Sequence, residues 1–499
     1  MISQARSNGT SVLFLEVNEA EKYFLDKFVA EGKLPNFAKL LETGVFFRTR
    51  IPDWDAGADK AWRHISPWIV WPSVYTGMNP RTHGMVGFGQ DPAAIQGRCV
   101  WDVLDENGFS TGILGCLMSY PPRTRGPGRF YVPESLADDP DCFPPEARPL
   151  QEFCVFSARN YSESFSIKAF EAVRLLLRTQ KSGVKLSTVW KTLKQVPAEV
   201  FRGPSIVPER AMLHSYLVWD AFKALYPAHR PAYTAVHMNH VAYMQHRYWR
   251  AAEPERFEDR LSLTDQRFFG TVAERKAYEE KFSKWVEKSF LYTDAVLGEL
   301  IQLIDSNTVL LVGTALGQRP FDPANEIHNP VVRLVNEGEL FAALRLAEHV
   351  VLHQMNPDVT MNFASADAAA RAHELVAGLH VHAGEPLFTV QRKADQLFLE
   401  LNMPRRKSKD ERFTIRHDTL KDLALDFHRF IHEHPTADQS TAHHKDSGWL
   451  LAWSPGRKLE ARAKVIDVTD IAPTILSLFG LPAAPWMESK NGPAFTLAR

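Results

Sequence analysis

Short apolar runs rich in strand-forming residues recur along the chain with helical stretches between them, and this alternation constrains the fold more than any other feature. S-V-L-F-L-E-V (Ser11–Val17), T-G-I-L-G-C (Thr111–Cys116), P-A-Y-T-A-V-H-M (Pro231–Met238) and V-L-L-V-G (Val309–Gly313) each read as a buried strand. G-W-L-L-A-W (Gly448–Trp453) reads as another. Strands alternating with helices pack as a mostly parallel sheet covered on both faces, an α/β fold. Such folds build their ligand sites from polar groups just past the carboxyl ends of the strands.

Several polar groups occupy that position here. Glu16, Asn18 and Glu19 close the first run, and Gln318 follows V-L-L-V-G-T-A-L-G. Glu16 suits a metal ligand or general base, and equally a buried or capping carboxylate. Asn239, His240 and His246 lie just beyond Pro231–Met238, and two histidines beside an amide have metal-ligand character. In one continuous helix His240 and His246 point to different faces, so a shared metal requires His240 to sit in the turn before the helix. His443 and His444 precede the last strand.

The stretch Trp62–Gly84, W-R-H-I-S-P-W-I-V-W-P-S-V-Y-T-G-M-N-P-R-T-H-G, adds a possible nucleophile. Ser66-Pro67 predicts a helix start with serine capping free N–H groups, and Gly77 predicts its end. A hydroxyl in the positive field of a helix N-terminus suits an anionic ester, with His64 close by in sequence as a ligand-binding candidate. Pro72 predicts a kink or a late helix start. Taken alone, the stretch also fits an ordinary capped helix with a tryptophan-rich packing face.

Composition narrows the class. With 45% hydrophobic and 23% charged residues the chain is globular rather than disordered. A formal net charge of -1 gives no field to gather nucleic acid or an anionic membrane, so neither is an expected partner. Four cysteines without C-x-x-C spacing indicate neither a zinc knuckle nor a disulfide framework. The polar N-terminus and the absence of any run of transmembrane length lead to the expectation of a cytoplasmic protein. One domain over 1–499 is expected, with a helical insertion at 150–205, whose basic residues read as a solvated face, and a small α+β insertion at 335–405. Ala273–Asp305 reads as one long amphipathic helix.

The late stretch D-V-T-D-I-A-P-T-I-L-S-L-F-G-L-P (Asp467–Pro482) closely resembles a signature of the alkaline phosphatase superfamily, nearest its type I phosphodiesterase and nucleotide pyrophosphatase branch. The resemblance extends to G-K-L-P-N-F-A-K-L-L-E-T-G (Gly32–Gly44), T-G-M-N-P-R-T-H-G (Thr76–Gly84) and Q-H-R-Y-W (Gln245–Trp249), in the family's order. It implies a three-layer α/β/α sandwich with insertions, two divalent metals, usually zinc, and a hydroxyl nucleophile at a helix N-terminus. By the same resemblance the nucleophile position falls on Pro67 or Ser66, with Ser73 a poorer candidate.

This chain departs from the pattern. The family's first-strand Asp is replaced by the group Glu16, Asn18, Glu19, and the Asp of D-x-x-x-H is Ala242. The S-D-H-G motif reads Thr314-Ala315-Leu316-Gly317, which cannot bind a metal through Ala or Leu. The resemblance therefore implies at most one divalent metal, most naturally zinc, or none. Its ligands would come from His246, His444 or His443, and Asn239. Ser66, Glu16 and His240 are then the catalytic candidates, while Asn18, Gln318 and His64 would bind a small anionic ester. The alternatives are a non-catalytic anion-binding or regulatory protein on the same fold, or a pocket turned to different chemistry.

Overall fold

The computed structural model describes residues 9–52, 65–85, 95–159, 165–202, 208–262, 265–267, 269–321, 332–353, 359–381, 384–403, 412–433, 440–489 and 491–498. The chain divides into two compact units. The first comprises Met1–Pro254, Glu279–Pro320 and Ala442–Arg499, and the second Glu255–Tyr278 and Phe321–Thr441.

The first unit is built on an eight-stranded sheet. Its strands in chain order are β1 (Ser11–Val17), β2 (Val45–Arg50), β3 (Thr111–Leu114), β4 (Phe130–Val132), β5 (Tyr233–Met238), β6 (Thr308–Thr314), and the strands Ser447–Trp453 and Val465–Asp467. The spatial order runs Val465–Asp467, β2, Ser447–Trp453, β6, β1, β5, β3, β4, and only Ser447–Trp453 is antiparallel to its neighbours. The alternation read from the sequence is thus a large, mostly parallel sheet. Strand period two splits β1 between its faces. Val12 and Phe14 pack into one core with Trp71, Tyr75, Trp101 and Ile475 from the helices Pro67–Thr76, Val100–Glu106 and Ile471–Leu478. The opposite layer is formed by the helices Lys22–Ala30, Pro35–Thr43, His240–Ala252 and Trp285–Leu303, where Phe24 meets Trp249 and Phe290.

Ser66 caps the helix Pro67–Thr76 by accepting from the Trp68 N–H at 3.3 Å, and Gly77 ends it at φ +68. That helix starts at Pro67 and carries Pro72 inside it, without a late start. The expected single helix over Ala273–Asp305 is instead two, Val272–Phe282 and Trp285–Leu303. The Ser283 hydroxyl bonds back to the Glu280 carbonyl at 2.8 Å, a local alternative to helix continuation that marks the break.

The second unit has its own core around Met361, Leu397, Val376 and Phe427. One antiparallel sheet orders Phe388–Lys393, Gln396–Leu401, Val359–Phe363 and His349–His353, and the helix Ala366–Ala377 packs against it. The 335–405 segment lies inside this unit, which continues to Thr441. Among the described residues no helix is long and apolar enough to cross a membrane.

Candidate active site

β1 ends at Val17, and the next two residues turn the chain into the helix Lys22–Ala30. Glu19 sits in that turn at φ +56, a left-handed conformation that a residue with a Cβ adopts at a cost and that clusters at functional sites. The turn aims its carboxylate at two histidines from distant parts of the chain. His246 stands on the helix His240–Ala252, and its Nε2 is 2.8 Å from Glu19 Oε2. His444 stands on the strand Ala442–Lys445, and its Nε2 is 3.3 Å from the same oxygen. The two rings meet edge to face, with centroids 5.0 Å apart.

The strand β7 (Gly317–Pro320) pairs with Ala442–Lys445 so that Gln318 stands opposite His444. Gln318 Nε2 then donates to Glu19 Oε2 at 2.6 Å and to the Ala242 carbonyl at 3.1 Å. Strand alternation decides between the paired histidines: His443 pairs with Arg319 and falls on the other face. Gly317 permits this approach, since a Cβ there would lie 2.5 Å from Glu21 Oε2.

Each histidine is oriented by its other nitrogen. His246 Nδ1 donates to the Ala442 carbonyl at 2.9 Å and His444 Nδ1 to the Ile65 carbonyl at 2.6 Å. A carbonyl can only accept, so both Nδ1 atoms carry hydrogen and both Nε2 atoms point at the carboxylate. Glu19 Oε2 thus faces three nitrogens where a carboxylate oxygen offers about two lone pairs. Burial pushes the Glu19 carboxyl up, but His444 and His246 outweigh it and hold it well below the ordinary value. Burial pushes His444 down, and the Glu19 charge overcomes that and raises it. The ligand atoms of Glu19, His246 and His444 lie within 4.8 Å of one another. Zinc–nitrogen and zinc–oxygen bonds of about 2.0–2.1 Å set tetrahedral ligands about 3.3 Å apart, so this donor set fits one ion after small adjustment. Backbone carbonyls holding the far nitrogens are the usual second layer of such a site.

Asn18 joins this cluster to the rest of the strand ends. Its amide donates to Asn239 Oδ1 at 2.8 Å and Glu19 Oε1 at 3.2 Å, and its carbonyl accepts from Trp71 Nε1 at 2.8 Å. Asn239 is exposed and engaged with Asn18, not with the histidines. Ser66 directly follows Ile65, whose carbonyl holds His444, so the helix cap and the imidazole are linked through one peptide unit. Ser73 is fully buried against His83 at 3.1 Å. His64 lies outside the described residues.

Glu16 and His240 do not join the cluster. Even-numbered β1 residues face the other layer, so Glu16 points into the core beside Trp71 and Trp101, where it is completely buried. It accepts from the Tyr75 hydroxyl at 2.7 Å and from His237 Nδ1 at 2.8 Å, its direct cross-strand partner. Burial and then the Glu16 charge hold the Tyr75 hydroxyl well above its ordinary value, so it stays a donor. His240 opens its helix rather than preceding it. Its nitrogens meet Ser215 Oγ and Thr293 Oγ1, both at 3.0 Å, and burial pushes its pKa down to about 3. It is a satisfied interior histidine with no free nitrogen for a substrate.

The sequence model of the type I phosphodiesterase / nucleotide pyrophosphatase family matches residues 12–397. The chain belongs to that family. This family member is also similar in structure to human ectonucleotide pyrophosphatase / phosphodiesterase 5, with 12% identity, TM-score 0.38, and coverage of 95% of this chain and 96% of that one. It is similar to phosphonoacetate hydrolase from Sinorhizobium meliloti 1021, solved with phosphonoformate, at 13% identity and TM-score 0.37, covering 97% and 98% of the two chains. These are distant likenesses, and the assignment rests on the family model. No curated protein matches the chain. Against the superfamily pattern, Ala315 and Leu316 are buried in the apolar core where an Asp-His pair is expected. Gln245 has no local sequence signal for its part: its amide clamps the turn by donating to the Glu19 carbonyl at 2.7 Å and accepting from the Glu21 N–H at 2.9 Å.

Proposed function

We propose that the chain is a hydrolase or group-transfer enzyme for small phosphate or sulfate esters, working with one divalent cation, zinc by its donor set. Glu19, His246 and His444 would hold the ion, and the observation that carries this reading is the single Glu19 oxygen facing three nitrogens. When bound, the ion would supply Lewis-acid polarisation of an ester oxygen. The protein's own groups supply the rest. Ser66 is the nucleophile candidate, placed at a helix N-terminus whose positive dipole end favours an anionic substrate. Gln318 and Asn18 fix the Glu19 carboxylate from two sides. Four buried free thiols, Cys99, Cys116, Cys142 and Cys154, support a reducing, cytoplasmic setting.

A second reading has its own support. Ala315 and Leu316 fill with apolar side chains the place where a second metal would be held, which favours a non-catalytic anion-binding protein. Turnover of nitrophenyl phosphate, bis-nitrophenyl phosphate and nitrophenyl sulfate, before and after chelation and zinc return, separates the two. The enzyme reading expects chelator-sensitive turnover that Ser66→Ala abolishes. Ion binding with no turnover of any of the three esters would assign the chain to the binding class instead.

A further inference from the structure

The helices Arg148–Arg159, Phe165–Arg178, Leu186–Arg202 and Glu209–His229 follow one another in the first unit. The middle two bury Leu175, Leu176 and Val189, which are 5%, 3% and 0% exposed, so each already has an inner apolar face. Yet the same helices carry most of the large apolar side chains exposed among the described residues: Phe170 at 82%, Leu177 at 44%, Leu186 at 53%, Trp190 at 53% and Phe201 at 87%.

Their spacing is regular. Leu186, Trp190, Lys194, Pro197 and Phe201 advance in steps of four, four, three and four, one outward stripe of a helix, and all five are exposed. Phe170, Arg174 and Leu177 form a matching row on the preceding helix. An outward apolar stripe contributes nothing to the packing of the helix that bears it, and contiguous exposed apolar surface marks a binding face.

The charge around the stripe says what it would meet. Residues 165–202 hold eight Lys or Arg (Lys168, Arg174, Arg178, Lys181, Lys185, Lys191, Lys194, Arg202) against Glu171 and Glu199, which gives +6 within a chain of net charge -1. Four are paired, three of them with acids outside the segment: Arg174 with Glu171 at 2.5 Å, Arg178 with Glu152 at 2.7 Å, Lys185 with Asp220 at 4.0 Å, and Lys191 with Glu209 at 2.7 Å. Lys181 and Lys194 are exposed and have no ion-pair partner among the described residues. Aromatic and aliphatic anchors set among lysines match the two components of an anionic bilayer surface, acyl boundary and negative headgroups.

We propose that the outward face of Phe165–Arg178 and Leu186–Arg202 docks the protein reversibly on an anionic membrane surface. The anchors lie in the interface plane and span nothing. The basic residues are then part of a binding face, where the sequence alone suggests a solvated one.

The test is co-sedimentation of the full chain with phosphatidylcholine vesicles, pure or containing phosphatidylglycerol. Binding is expected only to the anionic vesicles, falling several-fold as salt rises from 50 to about 200 mM because surface attraction fades within a Debye length. The double variant Leu186→Ser/Trp190→Ser should lose at least about tenfold in vesicle affinity, since burying an apolar side chain is worth that much or more. Lys181→Glu/Lys194→Glu alters only exposed positions, so it tests the charge component with the fold intact, as circular dichroism would confirm. Equal binding to neutral vesicles, no binding to either kind, or anionic binding untouched by both variants would overturn the proposal. So would Trp190-dependent dimerisation in gel filtration without vesicle binding, which would assign the face to a second copy.

Discussion

Two carboxylates at the end of β1, three residues apart, have opposite environments. Glu16 is sealed in the core and satisfied by Tyr75 and His237, with Trp71 packed edge-on against the same imidazole. Glu19 is nearly as buried, but its imidazole partners are 28% and 27% exposed, against 4% for His237 beside Glu16. Both pair an acid with histidine, yet only one pairing is partly exposed. The difference teaches that a polar residue at a strand end becomes a candidate site through the turn that follows it, and that the strand itself mostly makes structure.

The comparison breaks first at Glu16. Glu16→Ala leaves the Tyr75 hydroxyl and the His237 Nδ1 hydrogen buried without an acceptor, and each such unsatisfied buried donor costs about 1–3 kcal/mol. Denaturant unfolding should show that loss while metal binding per folded molecule stays unchanged; an equal loss of metal binding would mean the two acids act as one site.

Ser66→Ala removes a cap from the helix Pro67–Thr76 and should cost about 1 kcal/mol, a modest drop in melting temperature. A larger effect on ester turnover than on stability would separate a chemical role from a capping one.

The smallest effect is in pH. The raised pKa of His444 gives stability that is complete below the ordinary histidine value of 6.5 and is lost as pH rises through its higher folded value. The lowered pKa of Glu19 gives stability present above the ordinary carboxylate value of 4.5 and lost as pH falls through its lower folded value. The metal-free cluster should therefore stabilise best between about pH 4.5 and 6.5. Metal affinity should move the other way, rising with pH as His444 gives up its proton. Melting curves with and without zinc across pH 5–8 check both signs, and parallel profiles would contradict the ion-binding reading.

Much of the frame was legible in sequence. Apolar runs of strand length separated by helices admit few architectures, and Ser66-Pro67 with Gly77 marks a helix at both ends through local backbone chemistry. The site was legible only in part, because its geometry is set by features with no local signature. Nothing around Glu19 announces a left-handed turn. His443 and His444 are equivalent until the pairing of Gln318 with His444 fixes the register. His240 and His246 separate only once the helix is known to begin at His240, which turns that ring inward against Ser215 and Thr293. Ala315 and Leu316, in contrast, are legible directly as side chains without a donor atom, and both lie in the apolar core.

If Glu19, His246 and His444 form one divalent-cation site, calorimetric titration of chelator-treated protein with zinc will show it. One equivalent per chain is expected, weakened by at least about 100-fold in Glu19→Ala and in His246→Ala, since even outer-layer changes around a metal cost 10–100-fold. Binding of two equivalents, or one equivalent that survives both substitutions, would contradict it.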